Sequence, residues 1–124
     1  AASDVYKRQI YHLSRQIDWL SSETANTYSG SKEDRIDGYL HFSTAKQVIE
    51  SAKKHRKGEL DLLLLEVDVK KLHYSDLRWE LARRGELFPH LYGALDKGAI
   101  TRVIKLPLNE EGKHIFPELK EESS

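Results

Sequence analysis

A chain of 124 residues with 39% hydrophobic side chains can build one compact core and has no material for a second. Its 20 basic and 20 acidic side chains cancel, which removes the electrostatic field that broad nucleic-acid or anionic-membrane binding relies on, so neither partner is expected. Cysteine is absent, which excludes disulfides and thiolate metal sites.

Methionine is absent too, and Ala1 to Gln9 (AASDVYKRQ) resembles an adapter-derived stretch. The expected organisation is therefore a non-native leader over 1–9, a single globular domain over 10–108 and a charged C-terminal tail over 109–124. No apolar run approaches the roughly 20 residues of a membrane helix, and the first residues lack the apolar centre of a secretory signal. A cytoplasmic protein is the expectation.

Ile10-Tyr11-His12-Leu13 has the aromatic and branched content of a strand, and Arg15 to Ser22 reads as a short helix burying Ile17, Trp19 or Leu20. Thr24 to Ile36 is polar and contains Ser29-Gly30-Ser31, which predicts a loop. Tyr39 to Phe42 forms a second strand that runs into the clearest helix. Ser43 or Thr44 can cap that helix, and Ala45, Val48, Ile49 and Ala52 share one face. Lys53-Lys54-His55-Arg56-Lys57 then places positive charge at the helix's negative end, and Gly58 can stop it. Leu60 to Val67 is too uniformly apolar for a half-exposed strand and reads as a central one. Leu77 to Leu81 and Ile100 to Leu106 add two more strands, the second ended by Pro107. In the tail, Ile115 and Phe116 are the residues able to pin the chain to the body. Strands interrupted by two main helices predict an α+β domain with a curved or split mixed sheet.

Two stretches combine histidine with aromatics and a glycine or proline: Asp37-Gly38-Tyr39-Leu40-His41-Phe42-Ser43-Thr44 and Leu87-Phe88-Pro89-His90-Leu91-Tyr92-Gly93. Imidazole donates and accepts, titrates near neutrality and can bind sugar hydroxyls or phosphate, or move a proton. His12, His41 and His90 are candidates for one cleft, and His41 or His90 for its acid or base. Trp79, Tyr39 and Tyr92 offer stacking faces, while Arg78 or Arg35 can pair with phosphate. Each histidine could equally be a hydrogen-bonded core residue. His55, His73 and His114 sit in charged or terminal contexts and are expected in solvent.

Glu80 follows Trp79 in a mostly apolar segment. If buried, its pKa should rise and suit it to acid or base work; the competing assignment is an ion pair with Arg83 or Arg84. Ser43 and Thr44 read as caps before they read as nucleophiles, and both border the first histidine stretch as ligand-binding candidates. No spacing matches His-Glu-x-x-His, so no metal site is expected.

These stretches, in order with Ile10 to Leu13, Leu63 to Asp68 and Leu77 to Glu80, resemble the bacterial family called domain of unknown function 952, from about Ile10 to Leu108. That family looks like a compact relative of the ADP-ribosyltransferase fold, which includes poly-ADP-ribose polymerases, diphtheria-type toxins and RNA 2′-phosphotransferases. The resemblance implies roles for three segments. Tyr11-His12 is similar to a first-strand motif whose histidine grips a ribose of NAD, but Leu13-Ser14 stands where that group has Gly-Ser or Gly-Thr. Gly38 to Thr44 resembles a second-strand motif, with His41 in the place of a tyrosine that stacks on nicotinamide. His90 stands where a glutamate would stabilise the transition state, with Glu80 in the preceding segment. The implied activity is ribosyl or phosphoryl transfer on a nucleotide-like small molecule, with NAD as a candidate cofactor. The alternatives are a non-catalytic module binding a nucleotide or ADP-ribose, and histidine motifs that only brace the fold.

Overall fold

The structure, a computed structural model, describes residues 9–82 and 85–120. The leader, apart from Gln9, the last four residues of the tail and the proposed ion-pair partners Arg83 and Arg84 lie outside the described residues.

Three α-helices and eight strands follow in chain order among the described residues. They are β1 (Gln9–Arg15), α1 (Gln16–Leu20), β2 (Thr27–Tyr28), α2 (Lys32–Asp37), β3 (Leu40–His41), α3 (Ala45–His55), β4 (Leu62–Asp68), β5 (Leu77–Leu81), β6 (Leu87–Leu91), β7 (Leu95–Asp96) and β8 (Ile100–Leu106). The fold is α+β. The strands form three sheets with orders β1-β4-β8, β2-β7 and β3-β6-β5. A split sheet is thus present. Every pairing between these strands is antiparallel, which corrects the expected mixed sheet. No helix among the described residues is long and apolar enough to cross a membrane.

β4 is the central strand of its sheet, and its alternation divides the core. Leu65 and Val67 join Ile10, Tyr28, Leu40, Phe42, Leu91 and Leu95 on one side; Leu62 and Leu64 join Tyr11, Val48 and Leu106 on the other. The two larger sheets meet at one point. Tyr11 and Ser43 exchange both backbone N–H to C=O bonds, each 2.8 Å, so the chain after β3 is tied to β1.

α3 begins at Thr44, whose N–H donates to the Gln47 side-chain oxygen at 3.0 Å. Its buried face is Val48, Ser51 and Ala52. Ile49, expected on that face, is exposed because the helix turns its Ser51 side toward β1 and Ser43. In α1 only Trp19 packs on the core, whereas Ile17 and Leu20 are exposed. In the tail Phe116 and Leu119 pack beside Tyr11 and Val48, and Ile115 stays exposed.

The expected loop over Thr24 to Ile36 instead contains β2 and α2. α2 is held by local polar geometry: the Ser31 hydroxyl accepts from the Asp34 N–H at 3.1 Å, and the Asp34 carboxylate accepts from the Ser31 N–H at 2.8 Å. Gly38 closes the helix at φ +87°, where its N–H donates to the Asp34 carbonyl. Gly30 precedes the cap at φ +83°, and a Cβ there would meet Leu40 and the Asp34 carboxylate at 2.3 and 2.6 Å. Only glycine lets the chain pass so close to Asp34.

β6 escaped the sequence reading because Pro89 sits at its middle. The Pro89 carbonyl accepts from the Phe42 N–H at 3.0 Å, and proline has no N–H with which to return the bond. The β3–β6 ladder consequently ends beside the histidines.

Candidate functional site

Strand alternation sorts the residues of the β3-β6-β5 sheet. Register pairs His41 with His90, Arg78 with His90 and Glu80 with Phe88, so these side chains and Tyr39 and Tyr92 lie on one face. Leu40, Leu91, Leu77 and Trp79 take the other face and pack into the core. Trp79 is therefore half-buried against the core and does not line the cleft as the stacking surface proposed for it.

The outward face forms one wall of a cleft of about 630 Å³. Tyr39, His41 and His90 contribute from that sheet, His12 and Arg15 from β1, Ser51 and His55 from α3, and Asp34 and Asp37 from α2. Ser43 lines it at the strand-to-helix junction. Thr44 does not, being occupied in starting α3. Arg78, Glu80 and Tyr92 stand next to the wall without lining the cleft: Tyr92 donates to Glu80 Oε1 at 2.7 Å, and the Arg78 guanidinium lies 4.6 Å from the Tyr92 ring centre. Arg35 donates to the Gly30 carbonyl at 2.9 Å.

The three histidines differ in state. His12 is 2% exposed, with Nδ1 2.7 Å from the His41 carbonyl and Nε2 2.9 Å from the Tyr28 hydroxyl. A carbonyl only accepts, so Nδ1 carries the proton, and in the neutral ring Nε2 is an acceptor that shares the Tyr28 O–H with Ser14 Oγ, 2.8 Å from that hydroxyl. Burial lowers its pKa and keeps it neutral, although the nearby Asp34 charge pulls the other way. Both nitrogens are satisfied inside the protein, and Leu13 stands in the cleft wall where a glycine would admit a cofactor. These residues do not fit the ribose grip that NAD would need.

His41 is the opposite case. Its Nδ1 lies 2.5 Å from Asp34 Oδ1 and its Nε2 3.0 Å from Asp37 Oδ2. The hydrogen bond to Asp34 raises its pKa against the effect of partial burial, and both carboxylate charges add to the rise. Asp34 itself is buried, which opposes its charge. Hydrogen bonds from His41 and Ser31 outweigh that penalty and hold its carboxyl well below the usual carboxylate range.

His90 is buried with its ring stacked on Tyr39, centroids 4.2 Å apart. Its Nδ1 is 2.9 Å from Glu80 Oε1, and its Nε2 has no hydrogen-bond partner among the described residues. Glu80 is partly exposed, and hydrogen bonds from Tyr92 and then His90 lower its pKa. The condition for a raised, acid-like Glu80 is not met; it is a charged orienting group for His90. The His41 and His90 ring centroids are 5.8 Å apart.

The sequence reading did not bring Asp34, Asp37, Arg15, His55 or Arg56 to this cleft. Asp34 had one available signal, the Ser-x-x-Asp spacing from Ser31. The others converge only through the tertiary fold. His55 is exposed, as expected, and also lines the cleft, and His114 receives no cleft role, since its Nε2 donates to the Glu59 carbonyl at 2.8 Å. His73 is exposed as expected.

Residues 13–103 match the model of a family described as Protein of unknown function (DUF952). The crystal structure of protein CC0527 from Caulobacter crescentus is similar to this chain at 34% identity, with a TM-score of 0.81 over 86% of this chain and 93% of that one. The solution NMR structure of CC0527 has a TM-score of 0.74 over 85% of this chain and 90% of that one. No curated protein matches the chain.

Proposed function

This chain belongs to the DUF952 family, and we propose that its cleft binds a nucleotide-like ligand and carries out acid–base transfer or hydrolysis at a ribosyl or phosphoryl group, with phosphoryl chemistry preferred. The observation that carries this reading is the pairing of two imidazoles with different hydrogen-bond partners, ring centroids 5.8 Å apart. Glu80 accepts the Nδ1 proton of His90, so the lone pair of the neutral ring points from Nε2. His41, held between Asp34 and Asp37, keeps its proton to higher pH than a free imidazole. Such a pair supplies a base and an acid at one locus.

In the proposed step His90 Nε2 takes the proton of an attacking hydroxyl or water as its oxygen bonds to the reacting centre. His41 Nε2–H gives its proton to the departing oxygen once the ligand displaces the half-exposed Asp37 carboxylate. Tyr39, lying against both imidazole rings, offers an aromatic edge for a base. The split antiparallel sheets and the order of the motifs support a compact relative of the ADP-ribosyltransferase fold. The internally satisfied His12 argues against NAD as the partner. It favours, as a second reading, a non-catalytic module for the same class of ligand.

Calorimetric titration with ribonucleotides, cyclic ribonucleotides and ADP-ribose tests the reading. At least one ligand is expected to bind wild type, and His90→Ala is expected to lose turnover by at least about 100-fold while remaining folded. Ligand binding without detectable turnover would select the module, and silence across the whole panel would remove both readings.

A further inference from the structure

We propose that the end of the cleft away from the histidine pair is a subsite for a second, non-reacting phosphate, so that the ligand is a nucleotide carrying two phosphoryl groups, such as a nucleoside bisphosphate or an RNA end. This rests on the acid–base reading of the cleft and specifies its substrate class.

The chain diverges from the Tyr11–Ser43 bridge along two elements that meet again. β1 runs from Tyr11 to Arg15, roughly 13 Å at the rise of a strand. α3 runs alongside from Ala45 to His55, with Arg56 after it. Their far ends are drawn together by Glu59, which accepts from Arg15 Nε at 3.1 Å and from Arg56 Nη1 at 3.4 Å. Two guanidinium groups thus share one carboxylate at the cleft's end, with His55 beside them on the wall.

Arg15 is also within 3.6 Å of Glu33 and 3.9 Å of Asp18, so its charge is largely spent. Arg56 has Glu59 alone among the ion pairs of the described residues. Its side chain is mostly buried, and its field reaches the cleft floor, where it adds to the forces keeping His12 neutral. Two buried hydroxyls, Ser43 and Ser51, 3.3 Å apart, line the same cleft as Arg56 and the histidine pair. The end of α3 carries a partial negative charge that would repel an anion, and Lys53, Lys54 and His55 in its last turn offset it. A guanidinium fork flanked by hydroxyl donors suits a phosphate's geometry.

The different side chains at the two ends assign the phosphates different fates. The one beside His41 and His90 reacts; the one at Arg56 holds the ligand in register, so that binding energy far from the reacting atoms orients them.

The test compares ribonucleoside 3′,5′-bisphosphates with the matching 3′-monophosphates by calorimetry, in wild type and Arg56→Gln. Wild type is expected to prefer the bisphosphate by roughly tenfold to a hundredfold, the worth of one charge-assisted contact. Arg56→Gln is expected to erase that preference. Equal affinities in wild type, or a preference that survives the substitution, would overturn the subsite. Inorganic pyrophosphate separates the two claims: Arg56-dependent binding of pyrophosphate with no response to any nucleotide would keep the subsite and sink the nucleotide reading. Unchanged melting of Arg56→Gln confirms that the comparison is between folded proteins.

Discussion

Two polar clusters flank β1, one on each side of the fold, and they are built to opposite ends. On one side Glu66, 0% exposed in the middle of β4, accepts from Thr101 at 2.6 Å, from Arg102 at 2.6 Å and from Tyr11 at 3.0 Å. Burial works against its charge, and those three donors outweigh it and lower its pKa; the Tyr11 hydroxyl is pushed up to about 12, chiefly by burial. Both carboxylate oxygens are taken, and the Tyr11 oxygen also accepts the Lys120 N–H at 2.9 Å, fastening the tail. On the other side the Asp34, His41, His90 and Glu80 cluster opens on the cleft and leaves His90 Nε2 without a partner among the described residues. A buried network with its acceptors filled specifies structure, whereas one with a spare acceptor facing a cleft can do chemistry.

The largest expected effect breaks the closed cluster. Glu66→Ala removes the acceptor of the Tyr11 O–H, leaves Thr101 with only the weaker 3.2 Å bond to the residue 66 carbonyl and opens a cavity, and should cost about 3 kcal/mol. Arg102, being partly exposed, regains water and softens the loss. Urea denaturation reads it. A loss below about 1 kcal/mol would mean that the network is dispensable. Turnover by the folded fraction should not move, which is the contrast with His90→Ala.

The second effect sharpens the contrast through pH. The folded pKa of His41 is raised, so its contribution to stability is full below about pH 6.5, the unperturbed value, and is lost as pH climbs through the raised value. His12 runs the other way: its lowered pKa stabilises the fold above about pH 6.5 and that contribution is lost as pH falls below it. Stability should therefore peak near neutrality. Asp34→Asn should cost about 2 kcal/mol at that peak and flatten the alkaline limb, because His41 loses the partner that raises it. Midpoints measured from pH 5 to pH 9, with histidine proton shifts followed by NMR, report both limbs. An alkaline limb unchanged in Asp34→Asn would show that the Asp34 pair does not hold the His41 proton.

The same contrast explains what could be read in advance. β1, β4, β8 and α3 were legible because burial writes a period into sequence: Leu62 to Val67 is apolar on both faces, and Val48 and Ala52 recur at helical spacing. The two histidine stretches were legible as motifs, and register placed His41 against His90. α2 was not, because it is six residues long, buries Asp34 alone and has no apolar stripe. Trp79 was assigned to the wrong face since a short strand declares its alternation without its orientation, which pairing with β6 decides. Arg15 ends β1 while His55 and Arg56 end α3, and what ties the two arginines together is Glu59, a contact across 44 residues from Arg15.

The smallest expected effect tests whether the cleft depends on how α3 is seated. Gln47 performs two tasks: its oxygen accepts the Thr44 N–H at 3.0 Å, and its nitrogen donates to the Leu87 carbonyl at 2.9 Å, joining the start of α3 to the start of β6. Gln47→Ala removes both and should cost about 1 kcal/mol. Gln47→Glu keeps an acceptor for Thr44 and suits the positive end of the helix, but sets a carboxylate against the Leu87 carbonyl, so it separates cap from tie. If the cap carries most of the effect, the glutamate variant should recover most of the alanine loss. If the tie does, the two should be equally weakened. Gln47 does not line the cleft, so if Ser51 and His55 of α3 keep their place in its wall, ligand affinity is unchanged in both. A fall in affinity in both variants would instead show that β6, and with it His90, is positioned through the Gln47–Leu87 bond.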